Sequence, residues 1–165
     1  MIEYVVGFIF SEDRQRVALI RKVKPSWQAG KLNGLGGKIE PGEDGENAIF
    51  REVEEEAGVS IPPMLWREYH TIRGGQWQCT FFKVFKDVTL ASPEEEKVSW
   101  YNVADILSGK FPLVDHNQWL IPMALDDSHK MSDSRYQYKW EDQSYVCPDC
   151  QKPQIECRCD QGVTS

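Results

Sequence analysis

The stretch from Asn33 to Gly58 leaves the chain little freedom: it must turn sharply and then run as one amphipathic helix. Asn33–Gly42 holds four glycines and a proline, which is turn chemistry throughout. Residues 44–57 predict a helix that Gly58 ends. Ile49, Val53 and Ala57 recur every four residues and would form its buried stripe. On the same helix Glu52, Glu55 and Glu56 stand at i, i+3 and i+4, so their carboxylates share one face. Like charges so spaced repel by roughly a few tenths of a kcal/mol per pair. A bare run of this kind reads as solvated surface. A hard divalent cation with oxygen ligands would also account for it, because it offsets the repulsion directly.

The rest of the chain narrows that choice. With 165 residues, 41% of them hydrophobic and 27% charged, it suits one well-packed domain. No apolar run approaches bilayer-spanning length, and MIEYVVGFIF reads as a first strand and not a signal peptide. A reducing cytoplasm is therefore expected, where five cysteines point to thiols or metal and away from disulfides. A net charge of −7 does not attract polyphosphates or nucleic acid through its overall field. If the ligand is a nucleotide, cations must bridge carboxylates to phosphates.

Along the chain, residues 2–10 and 16–22 predict a β-hairpin across the polar turn 11–15, and residues 23–32 a loop. Strand-like runs follow at 65–72 and 76–86, joined through Gly74-Gly75, with a short strand at 98–101. Residues 103–108 give a helical turn or two, and 115–125 a second helix containing Pro122. The character changes after Asp126. The expected organisation is a domain over residues 1–130 and a cysteine-rich appendage over 131–165.

Gly37, Glu43, Arg51, Glu52, Val53, Glu55, Glu56, Gly58 and Val59 match without departure the pattern Gly-x5-Glu-x7-Arg-Glu-U-x-Glu-Glu-x-Gly-U, where U is a bulky apolar residue. This segment resembles the signature of the Nudix hydrolases. The resemblance implies an α/β fold, an α/β/α sandwich with a mixed sheet. It also implies Mg²⁺ (or Mn²⁺) held by Glu52, Glu55, Glu56 and the main-chain carbonyl of Gly36. A further acid usually comes from the loop before a later strand. Glu94, Glu95 and Glu96 fall there, with Glu95 preferred, and the general base is Glu52 or Glu95. Glu43 and Arg51 are expected to pair and staple the loop to the helix. Lys38 is either a phosphate contact or an ordinary surface lysine.

The flanks resemble MutT-like enzymes that hydrolyse oxidised purine nucleoside triphosphates such as 8-oxo-dGTP. On that resemblance Trp27 stacks on the base and Asn33 reads its edge; otherwise they are a loop anchor and a turn residue. Asp115, His116 and Asn117 fall in the second base-reading segment. His116 stands where one branch has an aspartate, and Asp115 or Asn117 could equally cap a helix. The expected reaction yields a monophosphate and pyrophosphate. Within the family the rival substrates are ADP-ribose, dinucleoside polyphosphates, NADH and capped RNA. A Nudix-fold binding module is the rival from another class. Cys147, Cys150, Cys157 and Cys159 have the spacing of a structural Zn²⁺ site with an unusually tight second half. The expected partner is a nucleotide, with no membrane and no stable nucleic-acid binding; a homodimer is left open.

Overall fold

The computed structural model describes residues 1–92, 95–128, 137–139 and 144–146. Seven strands form one sheet: β1 (Ile2–Phe10), β2 (Arg16–Arg21), β3 (Leu32–Asn33), β4 (Leu35–Lys38), β5 (Arg67–Arg73), β6 (Trp77–Phe85) and β7 (Val98–Asn102). The main path runs β3-β2-β1-β6-β5, with β4 added to β1 and β7 to β2. β1 and β6 are parallel and the other pairs antiparallel, so the sheet is mixed. The hairpin read from sequence is present as β1 with β2, and the two strand-like runs joined through Gly74-Gly75 pair antiparallel as β5 with β6. A separate antiparallel pair joins β8 (Gln137–Lys139) to β9 (Ser144–Val146).

Side-chain alternation decides which face each helix covers. From β1 and β2, Val5, Ile9, Ala18 and Ile20 point to one side. There they pack with Ile49, Val53 and Ala57 of helix α1 (Gly45–Ala57). Phe8, Phe10, Val17 and Leu19 point to the other. They meet Ile106 of α2 (Val103–Leu107) and Leu120, Ile121 and Ala124 of α3 (Asn117–Leu125). The result is an α/β/α sandwich. The predicted stripe of α1 is wholly buried, and Ile49 and Val53 each contribute about 1.5–3 kcal/mol by that burial.

Three local readings change. Residues 35–38 are a strand and not turn throughout, because Val5 and Val6 of β1 pair with Gly37 and Gly36. Residues 63–65 form a 3-10 turn, so β5 starts at Arg67. Helix α3 begins at Asn117, and neither Asp115 nor Asn117 caps it: the N-cap position is His116, with no side-chain capping bond. The cysteines of the expected zinc site, with Glu94, lie outside the described residues.

Candidate active site

Helix α1 is fixed at both ends before it presents its acids. Asp44 accepts the Asn47 N–H at 2.8 Å at the N-cap, and Gly58 leaves the helix in the left-handed region at φ 63°. Glu56 turns inward and is buried, Glu52 is half-buried, and Glu55 faces solvent. Arg51 gathers the surroundings. Its Nε and Nη2 bond the two carboxylate oxygens of Glu43 at 3.0 Å each, and Nη2 also reaches the Lys38 carbonyl at 3.1 Å. Its Nη1 reaches Glu52 at 2.8 Å and Glu55 at 3.4 Å. The Glu43 carboxyl is held below its usual range by the Arg51 guanidinium beside it. This fork ties the turn before α1 to the acids upon it.

The two glycines of β4 make room for the acids. A Cβ on Gly37 would strike the Glu52 carboxylate, and one on Gly36, at φ 153°, would strike the Val5 carbonyl. The Gly36 N–H donates to Glu56 Oε2 at 2.9 Å. Burial pushes the Glu56 carboxyl up to about 8, helped by repulsion from Glu52 and Glu96 and opposed by the Gly36 N–H and by Lys22. Burial also raises Glu52, against the pull of Arg51.

Of the described acids in the loop before β7, it is Glu96 and not the preferred Glu95 that turns inward beside the cluster. Glu95 is exposed, whereas Glu96 is buried. Glu96 Oε2 meets Lys22 Nζ at 2.5 Å, and its Oε1 accepts the N–H groups of Val23 at 2.6 Å and Lys24 at 3.2 Å. Burial raises its pKa, but these partners outweigh that and hold the carboxyl below its usual range. The reason is strand parity: Glu96 and Val98 are buried while Lys97 and Ser99 are exposed. Counting back by two from Val98 points to the buried acid.

Among the described residues no three acidic side chains already converge as an ion cage. Their protein partners explain this: Arg51 draws Glu52 and Glu55, Gly36 holds Glu56, and Lys22 holds Glu96. The donor set still fits a hard cation. A buried carboxyl lifted to about 8 beside two other carboxylates gains most from added positive charge, and oxygen is the only ligand type offered.

A cavity of about 750 Å³ opens beside this cluster. Gly36, Gly37 and Lys22 line it along with Trp27, Asn33 and His116. Trp27 is 57% exposed, free to meet a ligand. Burial brings the His116 imidazole down to about 4, so it is neutral at physiological pH. The remaining predicted contacts lie elsewhere. The Lys38 side chain is exposed and forms no part of the cavity wall. Asp115 is exposed and pairs with Lys31 at 3.3 Å. Asn117 is fully buried behind Asn33. Sequence reading missed Lys22, Gln28, Tyr4 and Trp77 as wall residues; nothing local in the sequence marks them, because they reach the cavity from three separate segments.

The NUDIX domain family model matches residues 1–122. The chain belongs to the Nudix family. A Caenorhabditis elegans protein named as a nudix hydrolase is 31% identical over 118 residues, 68% of this chain and 32% of that protein. The 8-oxo-dGTP diphosphatase of Escherichia coli is 37% identical over 59 residues, 36% of this chain and 45% of that enzyme. The chain thus spans less than half the length of the curated relatives it matches. Among solved structures, a MutT described for Aliivibrio salmonicida and Vibrio cholerae shares the Nudix fold. Its TM-score is 0.64 at 24% identity, over 75% of this chain and 96% of that one.

Proposed function

We propose that this Nudix chain is a divalent-cation-dependent pyrophosphohydrolase that cleaves a nucleoside triphosphate to its monophosphate and pyrophosphate. One observation carries the reading: the cavity that Gly36, Gly37 and Lys22 line also contains Trp27 and Asn33. A phosphate chain can therefore sit at the acids while its base sits against an aromatic ring and an amide. Glu52, Glu55 and Glu56, with the Gly36 backbone, would hold Mg²⁺ or Mn²⁺, and Glu96 is the fourth acid within reach of that cluster. Such an ion supplies charge neutralisation on the phosphates and a more acidic water.

The chain's own groups do the rest. Lys22 adds a cation in the cavity wall beside the acids. Arg51 orients Glu52, the acid best placed to accept a proton while remaining hydrogen-bonded. Trp27 offers a stacking face and Asn33 an amide edge. The neutral His116 lets the base end stay free of charge.

An oxidised purine such as 8-oxo-dGTP is the finer reading. It draws on the partial likeness to the 8-oxo-dGTP diphosphatase and on Trp27 and Asn33, while His116 in place of an aspartate sets this chain apart. We read residues 1–130 as the hydrolase domain. We read Cys147, Cys150, Cys157 and Cys159 as a structural zinc site in the appendage, which zinc quantification on purified protein would test. The decisive experiment is a turnover screen with Mg²⁺ across normal and oxidised nucleoside triphosphates, ADP-ribose and diadenosine polyphosphates. Preference for one triphosphate supports the reading; equal, feeble activity on all of them removes the oxidised-purine reading, and preference for ADP-ribose replaces the substrate class.

A further inference from the structure

The amide of Asn33 is oriented from behind. Asn33 ends β3 and is 9% exposed. Its Oδ1 accepts two hydrogens, one from the Gly34 N–H at 2.9 Å and one from Asn117 Nδ2 at 2.9 Å. An amide oxygen has two lone pairs, so both are spent. Asn117 is 0% exposed and forms no part of the cavity wall. Its Nδ2 also donates to the Leu32 carbonyl at 3.4 Å. The Asn33 Nδ2 group is left with one long contact, 3.4 Å to Gln28 Oε1 on the same wall.

Neither amide can turn over without loss. Reversing Asn33 would set its NH₂ against two donors, Gly34 N–H and Asn117 Nδ2. Reversing Asn117 would set its oxygen against two acceptors, Asn33 Oδ1 and the Leu32 carbonyl. The observed arrangement instead leaves Asn117 Oδ1 buried with no hydrogen-bond partner among the described residues. An orphaned acceptor at full burial is unfavourable and calls for an explanation. Here it accompanies a fixed donor at the cavity.

We infer that Asn117 is a positioning residue that locks Asn33 as a hydrogen-bond donor towards the cavity, so that the site takes 6-oxopurine nucleotides in preference to 6-aminopurine ones. At C6, guanine and hypoxanthine carry a carbonyl that accepts, whereas adenine carries an amino group that donates. Against a fixed protein donor the first forms a hydrogen bond and the second leaves two donors opposed. Asn117 does this without touching the base. The inference rests on the reading that the cavity holds the base of a nucleotide.

Equilibrium binding of the monophosphates IMP and AMP, measured by calorimetry without divalent cation, tests it. The intact protein is expected to bind IMP at least about tenfold tighter than AMP. Asn117→Leu, which leaves the Gly34 N–H as the one bond holding the Asn33 oxygen, should lower that ratio severalfold with both nucleotides still binding. Asn33→Asp, which can only accept, should turn the preference towards AMP, and it keeps the test open if Asn117→Leu does not fold. A residue that merely filled space would alter both affinities together and leave their ratio alone. A ratio near one in the intact protein, or an unchanged ratio in folded Asn117→Leu, overturns the inference. Binding of neither nucleotide overturns it together with the base-site reading. Turnover plays no part in these measurements, so loss of the pyrophosphohydrolase reading would show separately, as absent triphosphate cleavage.

Discussion

Glu96 holds the backbone that leads into the loop of residues 23–30: its Oε1 accepts the N–H groups of Val23 and Lys24 while Oε2 meets Lys22. Residues 23–30 carry Trp27 and Gln28 into the cavity wall, so the acid cluster and that wall share a fastening. Glu96→Ala should destabilise the fold by about 2 kcal/mol, the order for hydrogen bonds to a buried charge. It should also raise KM as the loop loosens. Glu95→Gln, on the exposed neighbour, should stay within about 0.5 kcal/mol of the parent. Urea titration of both variants, with steady-state kinetics, decides between the two acids.

The Arg51 fork gives a second test. Lysine keeps the charge but cannot bond both Glu43 oxygens and the Lys38 carbonyl together. Arg51→Lys should cost about 1–3 kcal/mol, since the group is only partly exposed and its partners are left under-satisfied. Arg51→Met should cost more, because Glu43 and Glu52 then lose their counter-charge. Chemical denaturation in a chelating buffer reads both values, and equal stability of all three proteins would contradict the staple.

Glu56 makes stability depend on pH in a definite direction. Its carboxyl rises from an ordinary 4.5 to about 8 in the fold. The native chain therefore binds more protons than the unfolded one between those values. Stability from this group is full in acid and declines as pH rises from about 4.5 through about 8. In metal-free protein Glu56→Gln should flatten that decline and raise Tm at pH 8.5 relative to the parent. With Mg²⁺ the same variant should lose turnover by about a hundredfold or more. Calorimetric melts across pH with and without Mg²⁺ separate the two effects; a parent melt that improves with pH would contradict the burial of this acid.

Trp27 is the test of the base end alone. At 57% exposure its removal should change stability by no more than about 0.5 kcal/mol. Loss of a stacking face is worth roughly 1–3 kcal/mol to a bound base, so Trp27→Ala should weaken nucleotide binding by about tenfold. Unchanged nucleotide affinity would place the base elsewhere.

The legible parts of the sequence were those whose signal is local. Helix α1, its stripe of Ile49, Val53 and Ala57, its Gly58 exit and the Glu43–Arg51 pair all follow from spacing within a few turns. β4 was hidden because Gly36 and Gly37 satisfy turn chemistry and close approach equally well, and only the distant Val5 and Glu52 tell them apart. Spacing of five residues before Trp100 points to Glu95, whereas burial follows the alternation that continues back from Val98 and falls on Glu96. Asn117 was read as a base contact or a cap; its burial behind Asn33 depends on β3 and α3 meeting, which no short window encodes.

β1 lies between β4 and β6, and its residue Val5 belongs both to the cavity wall and to the packing under α1. A change in this strand therefore moves the acids of α1 and the cavity wall at once. On the proposed nucleotide reading, retuning which base is accepted is accordingly confined to what hangs from the strand ends: the loop that Glu96 fastens and the segment that leads into α3. Engineers seeking a new specificity should diversify those two segments and leave the central strand as it is.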